Sequence, residues 1–480
     1  MRVLSVASEC VPLVKTGGLA DVVGALPAAL AAQGVEMRVM LPAYPGLADR
    51  LQRVETQRLG PDERLLIGEA DGLSLVLFDA PELFARDGAG PYASPDRRDW
   101  PDNWRRFGRF SAAAALAARD GAAGWRPDVV HAHDWQAGLV PAYLHGGGPP
   151  VVLTLHNIAF QGLVGRDVMG PLGLPDALFT PDIGEFHGLF GMLKTGIALA
   201  RRLTTVSPTY ARELLTPEFG QGLDGLLRAR EGALEGVLNG IDTQVWNPTT
   251  DPASPARYDA ADLTGKAACR AALASRFGIE PPSGPLFAVI SRLTRQKGLD
   301  LLPDALSALL DGGGALVALG SGDPDLEARF EEMARAHPGR VGVVLGYDEA
   351  LSHQIQAGAD AILVPSRFEP CGLTQLCALR YGTIPVVART GGLADTVIDA
   401  NPAALAARVA TGVVHAPGRT DALARAIRRL TALHADPQRW SDLVQAALRQ
   451  PVGWQDSAAR YAALYREAAQ AAPQGPAAPA

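Results

Sequence analysis

Two runs of this sequence combine basic residues with glycines in a way that could bind phosphate. The first is Lys15-Thr16-Gly17-Gly18, and the second is the run from Ser291 to Gly298, which holds Arg292 and Lys297. A glycine turn exposes backbone N–H groups to an anion, and cations neutralise its charge. Arg292, Lys297 and Lys15 could therefore stabilise a departing diphosphate without a metal, each preorganised group contributing on the order of 10²–10³ in rate.

Polar residues also follow three other apolar runs of the chain. These are His133-Asp134-Trp135, His156-Asn157 and the stretch from Ser366 to Thr374, which contains Glu369. Ligands of open parallel sheets bind beyond the carboxyl ends of the strands. The positions of these residues therefore predict one functional site at such an edge, if the apolar runs are strands.

Short apolar runs alternate with helical patterns along the whole chain, which indicates βαβ units and mainly parallel sheets. We expect an α/β protein of two Rossmann-like domains that face each other across a cleft. The strands predicted for the first half are 3–7, 37–41, 74–78, 128–131, 151–155 and 203–206, and those of the second half are 286–290, 315–319, 341–345, 361–364 and 384–387.

Domain boundaries follow from breaks in this pattern. Residues 246–257 contain several prolines and no apolar periodicity, so we expect them to link an N-terminal domain of residues 1–245 to a C-terminal domain of residues 258–450. We expect residues 451–469 to form a helix that packs back on the N-terminal domain. The Ala- and Pro-rich residues 470–480 are expected to be a disordered tail.

Composition excludes several classes of partner. The chain has 480 residues, 20% of them charged, and a net charge of −7, so it has no general attraction for nucleic acid or an anionic membrane. No run of 18 apolar residues occurs, and the four cysteines form no CxxC pair. We therefore expect a cytoplasmic protein. Nothing in the sequence determines its oligomeric state.

Lysine is scarce. Of 44 basic residues only Lys15, Lys194, Lys266 and Lys297 are lysine, and three of these stand beside glycines. An ammonium is a compact point charge where a guanidinium is a planar fork, so a lysine retained among arginines suggests a site that needs the smaller cation. Chance in an arginine-biased sequence is the alternative.

Two patterns resemble metal sites, but we expect no metal and no cofactor. His131-x-His133 with Asp134 lacks a third ligand at a suitable spacing. Asp323-Pro324-Asp325 has the composition of a helix start, with Asp323 as N-cap and Pro324 at the first helical position.

The motif Thr16-Gly17-Gly18-Leu19-Ala20-Asp21 recurs as Thr390-Gly391-Gly392-Leu393-Ala394-Asp395. In each half it is predicted at a turn that leads into a helix, where an anion could bind. A tight turn with no ligand is the alternative for both copies.

An ordered set of motifs resembles the bacterial glycogen synthase and plant starch synthase family, which has the two-domain GT-B fold. The set covers nearly the whole chain and consists of Lys15–Val22, His131–Trp135, Thr154–Asn157, Thr204–Tyr210, Asn239–Asp242, Ser291–Gly298, Arg367–Gln375, Tyr381–Pro385 and Thr390–Leu393. The resemblance implies transfer of glucose from ADP-glucose to the non-reducing end of an α-1,4-glucan such as glycogen, with retention of the anomeric configuration.

The resemblance also implies roles for individual residues. The donor would be held by Lys15, Gly18, Arg292 and Lys297, by the backbone of Leu373 and Thr374, and by stacking of Tyr347 on the adenine. Glu369 would be the essential carboxylate near the donor sugar, and His156 would lie beside the reacting sugar. The glucose and acceptor pocket would be lined by Asp21, Asp134, Asn157 and Asn239, with Tyr92 as a weaker match; the role of Lys194 stays open.

One position departs from a pattern common among retaining GT-B enzymes. Many of them have Glu-x₇-Glu, whereas Cys377 stands eight residues after Glu369. A mechanism with two carboxylates is therefore not predicted. We favour a front-face displacement in which the leaving phosphate takes the acceptor's proton, over a covalent glucosyl-enzyme intermediate.

Three alternatives remain at this point. An enzyme of the same fold could use another sugar donor, or a glucan-binding scaffold could retain the fold without activity. A pyridoxal-phosphate phosphorylase would need a Schiff-base lysine, and only Lys297 lies in a loop motif of the second half.

Overall fold

The computed structural model describes residues 1–96 and 98–470, which divide into two compact units. The first unit comprises Met1–Asn239 together with the chain from Trp454 onward, and the second comprises Gly240–Gly453. Gln470, predicted to be the first residue of a disordered tail, belongs to the last helix; the rest of that prediction, residues 471–480, lies outside the described part of the chain.

The strands form three sheets. In chain order they are β1 (Arg2–Val6), β2 (Glu36–Pro42), β3 (Gln52–Arg58), β4 (Arg64–Ala70), β5 (Leu73–Asp79), β6 (Val129–His133), β7 (Val151–Leu155), β8 (Leu163–Val164), β9 (Glu185–Phe186), β10 (Leu189–Gly191), β11 (Arg202–Thr205), β12 (Leu234–Gly236), β13 (Leu286–Ile290), β14 (Ala315–Gly320), β15 (Val341–Leu345), β16 (Ala361–Val364), β17 (Ile384–Ala388) and β18 (Val413–His415).

The α-helices are α1 (Gly18–Ala31), α2 (Pro81–Phe84), α3 (Asn103–Asp120), α4 (Val140–Tyr143), α5 (Met192–Leu199), α6 (Pro208–Leu214), α7 (Asp224–Ala229), α8 (Thr264–Arg276), α9 (Leu302–Leu310), α10 (Pro324–Ala336), α11 (Glu349–Gly358), α12 (Thr374–Arg380), α13 (Gly391–Thr396), α14 (Pro402–Ala406), α15 (Thr420–His434), α16 (Pro437–Arg449) and α17 (Gln455–Gln470). As predicted, Asp323 is the N-cap of α10, where its side chain accepts the N–H of Asp325.

Each unit is built on one main sheet. The first has the strand order β12-β11-β7-β6-β1-β2-β5-β4-β3, with parallel pairing except at β4, and the second has the all-parallel order β15-β14-β13-β16-β17-β18. A third, small antiparallel sheet joins β8, β10 and β9. Central strands such as β6 and β7 are buried along their whole length, as expected for a parallel sheet covered on both faces. Two α/β units with mainly parallel sheets confirm the predicted fold class.

The edge hairpin β3–β4 was missing from the predicted strands. Strand β3 is exposed and polar, with no apolar period to mark it. A signal was nevertheless present, because Asp71-Gly72 lies between two apolar runs. Both residues have positive φ, and Ala70 pairs with Leu73 across them, which makes a two-residue hairpin turn between β4 and β5.

The last helix belongs to the first unit. Its residues Tyr461, Leu464 and Tyr465 are buried in a cluster with Leu26 and Leu30 of α1. Because α1 begins at Gly18, directly after the Lys15 loop, this packing fixes the helix that follows the loop.

The segment 246–257 packs within the second unit and does not form an open linker. The ring of Trp246 stacks on His353 with centroids 3.8 Å apart, and Asp251 is buried and accepts from His353 at 2.9 Å. Prolines remove periodicity from a sequence but do not prevent its other residues from being buried, which explains the difference.

Two of the scarce lysines bind carbonyl groups of the protein. The ammonium of Lys266 contacts three backbone carbonyl oxygens, of Ala357, Ala359 and Tyr381, at 3.1–3.2 Å and the Thr383 hydroxyl at 2.9 Å. Burial lowers the pKa of Lys266 to about 8. Lys194 likewise donates to the carbonyl oxygens of Pro181 and Glu185. Lysine scarcity therefore marks structural cations as well as candidate ligands.

We expect Lys266→Met to lower the free energy of unfolding by about 3 kcal/mol, because it retains the apolar stem but removes the charged donor that binds three carbonyls and the Thr383 hydroxyl. Urea denaturation measures this change. Arg335→Met is the control, since that side chain is 70% exposed and its removal should change stability by less than about 0.5 kcal/mol. Equal losses in the two variants would contradict a stabilising role for Lys266.

Candidate active site

Asp134 and His156 lie together at the carboxyl ends of β6 and β7. The Asp134 carboxylate accepts the backbone N–H of His156 at 2.7 Å and that of Asn157 at 3.4 Å. Asp134 also has a positive φ of 53°, an uncommon conformation for a residue with a side chain. This local strain fits a site residue and fixes the turn that carries His156 and Asn157.

A buried hydrogen-bond network that runs through His133 and Ser5 holds the His156 imidazole. His156 Nε2 lies 2.9 Å from Nδ1 of His133, and Nε2 of His133 lies 3.1 Å from the Ser5 hydroxyl. His131 is bound on both ring nitrogens, by Thr154 at 2.6 Å and Tyr465 at 2.8 Å. The nitrogens of His131 and His133 are thus occupied within the protein, and the described residues include no group of three side chains that could hold a metal.

Burial determines the charge of this network. It lowers the pKa values of His131 and His156 to about 3 and that of His133 well below its ordinary value. Burial raises the pKa of Asp134 to about 7. Near neutral pH the three imidazoles are therefore uncharged hydrogen-bonding groups, whereas Asp134 is divided between the protonated acid and the carboxylate.

The Lys15 loop lies between β1 and α1. Lys15 Nζ is 3.0 Å from Oδ1 of Asp21, one turn into α1. The backbone N–H groups of Thr16 and Gly17, which the glycine motif suggested for an external anion, instead donate to the carboxylate of Glu9. Within the described residues the Gly18 N–H has no such acceptor.

The remaining candidates of the first unit differ in their surroundings. The Tyr92 hydroxyl bonds to the Ser8 hydroxyl at 2.7 Å and to Glu9. Asn157 accepts the N–H of Ala159 with its side-chain oxygen. Asn239 is 7% exposed, and its buried Oδ1 lacks a hydrogen-bond partner among the described residues. A buried oxygen without a hydrogen bond is unfavourable, and a ligand hydroxyl at Asn239 would supply the missing donor.

In the second unit Lys297 and Glu369 form an ion pair. Lys297 follows β13 and Glu369 follows the neighbouring β16, and the ammonium lies 2.9 and 2.6 Å from the two carboxylate oxygens. The Ser366 hydroxyl donates to Oε2 at 2.9 Å. The carboxylate is 7% exposed, so it is held in one orientation by an ammonium and a hydroxyl.

Close backbone contacts fix the loops that carry this pair. Gly298 has a φ of 68°, and a Cβ there would collide with the Pro365 carbonyl oxygen. The Arg367 guanidinium binds Asp300 through two N–H groups, at 2.5 and 2.8 Å. The two loops can therefore approach closely only because a glycine follows Lys297.

The second Thr-Gly-Gly motif supports the Glu369 loop. The Gly392 N–H donates to the Glu369 carbonyl oxygen at 3.2 Å and to that of Pro370 at 3.1 Å. A side chain at Gly391, whose φ is 43°, would collide with the same Glu369 carbonyl. This motif is thus a tight turn against another loop, the alternative considered for it above.

The other candidates of the second unit present unpaired groups. The exposed guanidinium of Arg292 has no ion-pair or hydrogen-bond partner within residues 1–96 and 98–470, and the same holds for the backbone N–H groups of Leu373 and Thr374 at the start of α12. Tyr347 is 75% exposed, and its hydroxyl contacts Glu349. These groups are available to a ligand.

Comparison with known proteins places the chain in a family. Residues 2–229 match the starch synthase catalytic domain, and residues 275–445 match the glycosyl transferases of group 1. A glycogen synthase of Roseobacter denitrificans is 59% identical over 474 residues, which cover 97% of this chain and 99% of that protein. The chain belongs to the glycogen synthase family. Glycogen synthase 1 of Rhizobium meliloti is 52% identical, over 97% of this chain and 98% of that one.

Solved structures agree with this assignment. The catalytic domain of starch synthase IV from Arabidopsis thaliana, bound to ADP and acarbose, has a TM-score of 0.87 and 33% identity over 98% of this chain and 99% of that one. A sucrose-phosphate synthase from Thermosynechococcus elongatus, 19% identical over 97% of this chain and 98% of that one with a TM-score of 0.60, shares the fold. The GT-B fold and the glycosyltransferase class predicted from the sequence are confirmed.

Two residues of these surroundings were not assigned from the sequence. Glu9 precedes the Lys15 loop, and Ser366, the first residue of the polar stretch after β16, precedes Glu369; each lies two or three residues beyond the end of a buried strand. That position was the available signal, since the same rule identified Asp134 and His156. It does not tell a ligand contact from a contact between loops.

Asp134 should make stability depend on pH. Its folded pKa of about 7 exceeds its ordinary value of 3.8, so the native state holds a proton that the unfolded chain loses, and the free energy of unfolding falls as the pH rises from about 4 to 7. Asp134→Asn removes this titration but retains an acceptor oxygen. Between pH 5 and 8 we expect wild type to lose about 3 kcal/mol more than the variant, at about 1.36 kcal/mol per pKa unit. Urea denaturation at both pH values tests this, and parallel losses would contradict it.

Proposed function

We propose that this chain elongates α-1,4-glucan by transferring glucose from ADP-glucose to the non-reducing end, with retention of configuration. The observation that carries the proposal is the Lys297–Glu369 pair, which lies at the carboxyl ends of adjacent strands. Arg292, on the same loop as Lys297, has no partner in the described part of the chain. Membership of the glycogen synthase family supports the choice of substrates. So does the likeness to a starch synthase domain solved with ADP and acarbose.

The donor contacts follow from charge. Arg292 and Lys297 bind the diphosphate, and the free N–H groups of Leu373 and Thr374 donate to its oxygens. Lys15 adds a further cation and Gly18 a further N–H. The exposed ring of Tyr347 stacks on the adenine, since an aromatic ring on a loop offers area at low entropic cost.

The sugar contacts combine neutral groups with carboxyl groups. His156, with its imidazole held by His133, lies beside the reacting glucose, and Asp134, Asn157 and the unsatisfied Asn239 bind hydroxyls. Asp21 and Tyr92 complete the lining. Glu369 lies near the donor sugar, where its fixed carboxylate orients the ring and stabilises positive charge that develops at the anomeric carbon.

A front-face displacement agrees with these groups. The bond from the anomeric carbon to the phosphate oxygen breaks while the bond to the acceptor's 4-oxygen forms on the same face, and the acceptor proton passes to the departing phosphate. Glu369 is already bound by Lys297 and Ser366. Cys377 stands at the position of a second carboxylate and is buried in the core of the second unit.

We place the enzyme in the cytoplasm, where ADP-glucose and glycogen would be its partners. All four cysteines are free and buried, as suits a reducing compartment. Among the described helices none is both long and apolar enough to cross a membrane.

The main test is transfer of labelled glucose from ADP-glucose to glycogen by the purified protein. We expect ADP-glucose to be used in preference to UDP-glucose, and Glu369→Gln to reduce kcat by at least a hundredfold, because the amide loses the charge that faces the donor sugar. Glu331→Gln is the matched control, since Glu331 lies on the surface of α10, and it should be as active as wild type.

One result would overturn this assignment, and another would overturn only the mechanism. One is full activity in Glu369→Gln, after urea denaturation has shown both variants to be folded. The other concerns the mechanism alone: a glucosyl adduct on Glu369, detected by mass spectrometry during turnover, would replace front-face displacement with a covalent intermediate.

Lys15→Arg tests whether a compact cation is required. The ammonium is 3.0 Å from Asp21, and the larger planar guanidinium cannot take that position while it meets a phosphate oxygen. We expect kcat/KM for ADP-glucose to fall at least tenfold. Arg335→Lys, the reverse exchange at an exposed position, should have no effect. A fully active Lys15→Arg enzyme would remove the argument from lysine scarcity.

A further inference from the structure

Glu9 is a buried carboxylate with no role in the chemistry described above. Its side chain is 3% exposed. It accepts the backbone N–H of Thr16 and the Thr16 hydroxyl, the latter at 2.6 Å, as well as the N–H of Gly17 at 3.2 Å and the hydroxyl of Tyr92. Four donors occupy its two oxygens, so Glu9 is placed to hold structure and is poorly placed to act as a base or nucleophile.

These contacts fix the chain on both sides of Lys15. Before it, Cys10 and Val14 exchange backbone hydrogen bonds at 3.0 and 2.9 Å. After it, Thr16 and Gly17 are bound to Glu9. The backbone of Lys15 therefore lies between two anchored points, and the direction from which its side chain leaves the loop depends on Glu9.

The opposite side of the loop is open. Gly17 has an extended backbone with φ of −160°, which any residue can adopt, and a Cβ built there would have no atom within 4 Å. Neither conformation nor packing requires glycine at this position. Space is left beside a loop whose N–H groups are taken by Glu9, so a ligand at the loop meets the Lys15 side chain and not the N–H groups of Thr16 and Gly17.

Glu9 also connects this loop to the sugar-binding residues. The Tyr92 hydroxyl that it accepts bonds to Ser8 as well. Burial is the main reason that the pKa of Asp134 is raised, and the charge of Glu9 adds to the effect. One carboxylate thus influences the cation, the tyrosine and the aspartate that the first unit contributes.

We propose that Glu9 is a positioning residue, which holds the Lys15 loop and the Tyr92 hydroxyl in one arrangement so that Lys15 meets the donor phosphates preorganised. The proposal rests on the proposed function, in which Lys15 binds the donor. Preorganised cations stabilise charge without reorganisation at the moment of reaction.

The test is Glu9→Gln, which keeps the shape but sets an amide NH₂ against hydroxyl and N–H donors. We expect the Kd for ADP, measured by isothermal titration calorimetry, to rise at least tenfold. The KM for ADP-glucose should rise with it, while the KM for glycogen stays within twofold of wild type. Asp399→Asn is the matched control, because Asp399 also accepts a loop N–H, that of Val414 at 2.7 Å, but lies outside the proposed site; it should bind ADP as wild type does.

A double-mutant cycle separates positioning from a general loss of stability. Lys15→Met should weaken ADP binding in the wild-type background but by less than twofold in the Glu9→Gln background, because a misplaced Lys15 already contributes little to ADP binding. Equal effects of Lys15→Met in both backgrounds would overturn the proposal.

Thr16→Val keeps the experiment decisive if Glu9→Gln does not fold. It removes one hydroxyl donor to Glu9 and leaves the charge in place, and we expect the Kd for ADP to rise two- to fivefold. An unchanged Kd in this variant would count against the proposal. If wild type itself neither binds ADP nor transfers glucose, the proposed function fails; if wild type is active and the Glu9 and Thr16 variants bind ADP equally well, only the positioning role fails.

Discussion

The ion pair between Lys297 and Glu369 is the contact around which the loops of the second unit are arranged. Both charges are largely removed from water, with side-chain exposures of 20% and 7%, and such burial is costly unless the geometry is good and the remaining lone pairs are satisfied. Two short contacts from the ammonium and one from Ser366 meet that condition. Gly298 and the Gly391-Gly392 turn allow the backbones to come close enough. The pair thus fixes a carboxylate in a polar site where it could otherwise rotate.

The two Thr-Gly-Gly motifs show that one sequence can meet different physical demands. In the second unit the glycines are required by packing, because a Cβ at either would strike the loop that carries Glu369. In the first unit Gly17 has open space and ordinary backbone angles, and its N–H is bound by a side chain. Both turns nevertheless end with an N–H that donates to an oxygen of a glutamate. In each unit this contact fixes the loop beside a candidate phosphate-binding lysine.

Much of the fold was predictable because buried parallel strands are continuous apolar runs. The predicted strands differ from β7, β13, β15 and β16 by no residue at either end. Strand β3 was missed because it is polar and exposed. The turn residues Asp71-Gly72 mark the neighbouring hairpin between β4 and β5. Residues 246–257 were misjudged because the burial of Asp251 depends on His353 and Tyr381, which lie more than a hundred residues away in the chain.

The residues of the candidate site were also predictable in part, whereas the contacts between them were not. Lys297 and Glu369 were identified singly, by motif and by position after a strand, but their contact arises from the adjacency of β13 and β16, which no local pattern contains. The Glu9 contacts were missed for a related reason. A glycine turn shows that N–H groups are exposed locally, yet which acceptor they meet is decided by tertiary structure.

The distribution of charge explains how an acidic protein could bind an anionic donor. A net charge of −7 offers no general attraction, so the cations must be placed individually. Arg292 has no partner among the residues that the structure describes, while Lys297 is bound to one carboxylate. Around His156, in contrast, there are no fixed charges on the imidazoles. Burial keeps three imidazoles neutral and raises the pKa of Asp134 to about 7. Sugar hydroxyls are neutral donors and acceptors, and a charged partner would have to be desolvated to bind them. Under the proposed function, neutral imidazoles meet the sugar and fixed cations meet the phosphates, which suits the two parts of a nucleotide sugar. The same burial that depresses the histidine pKa values thereby makes this chemistry insensitive to their protonation near neutral pH.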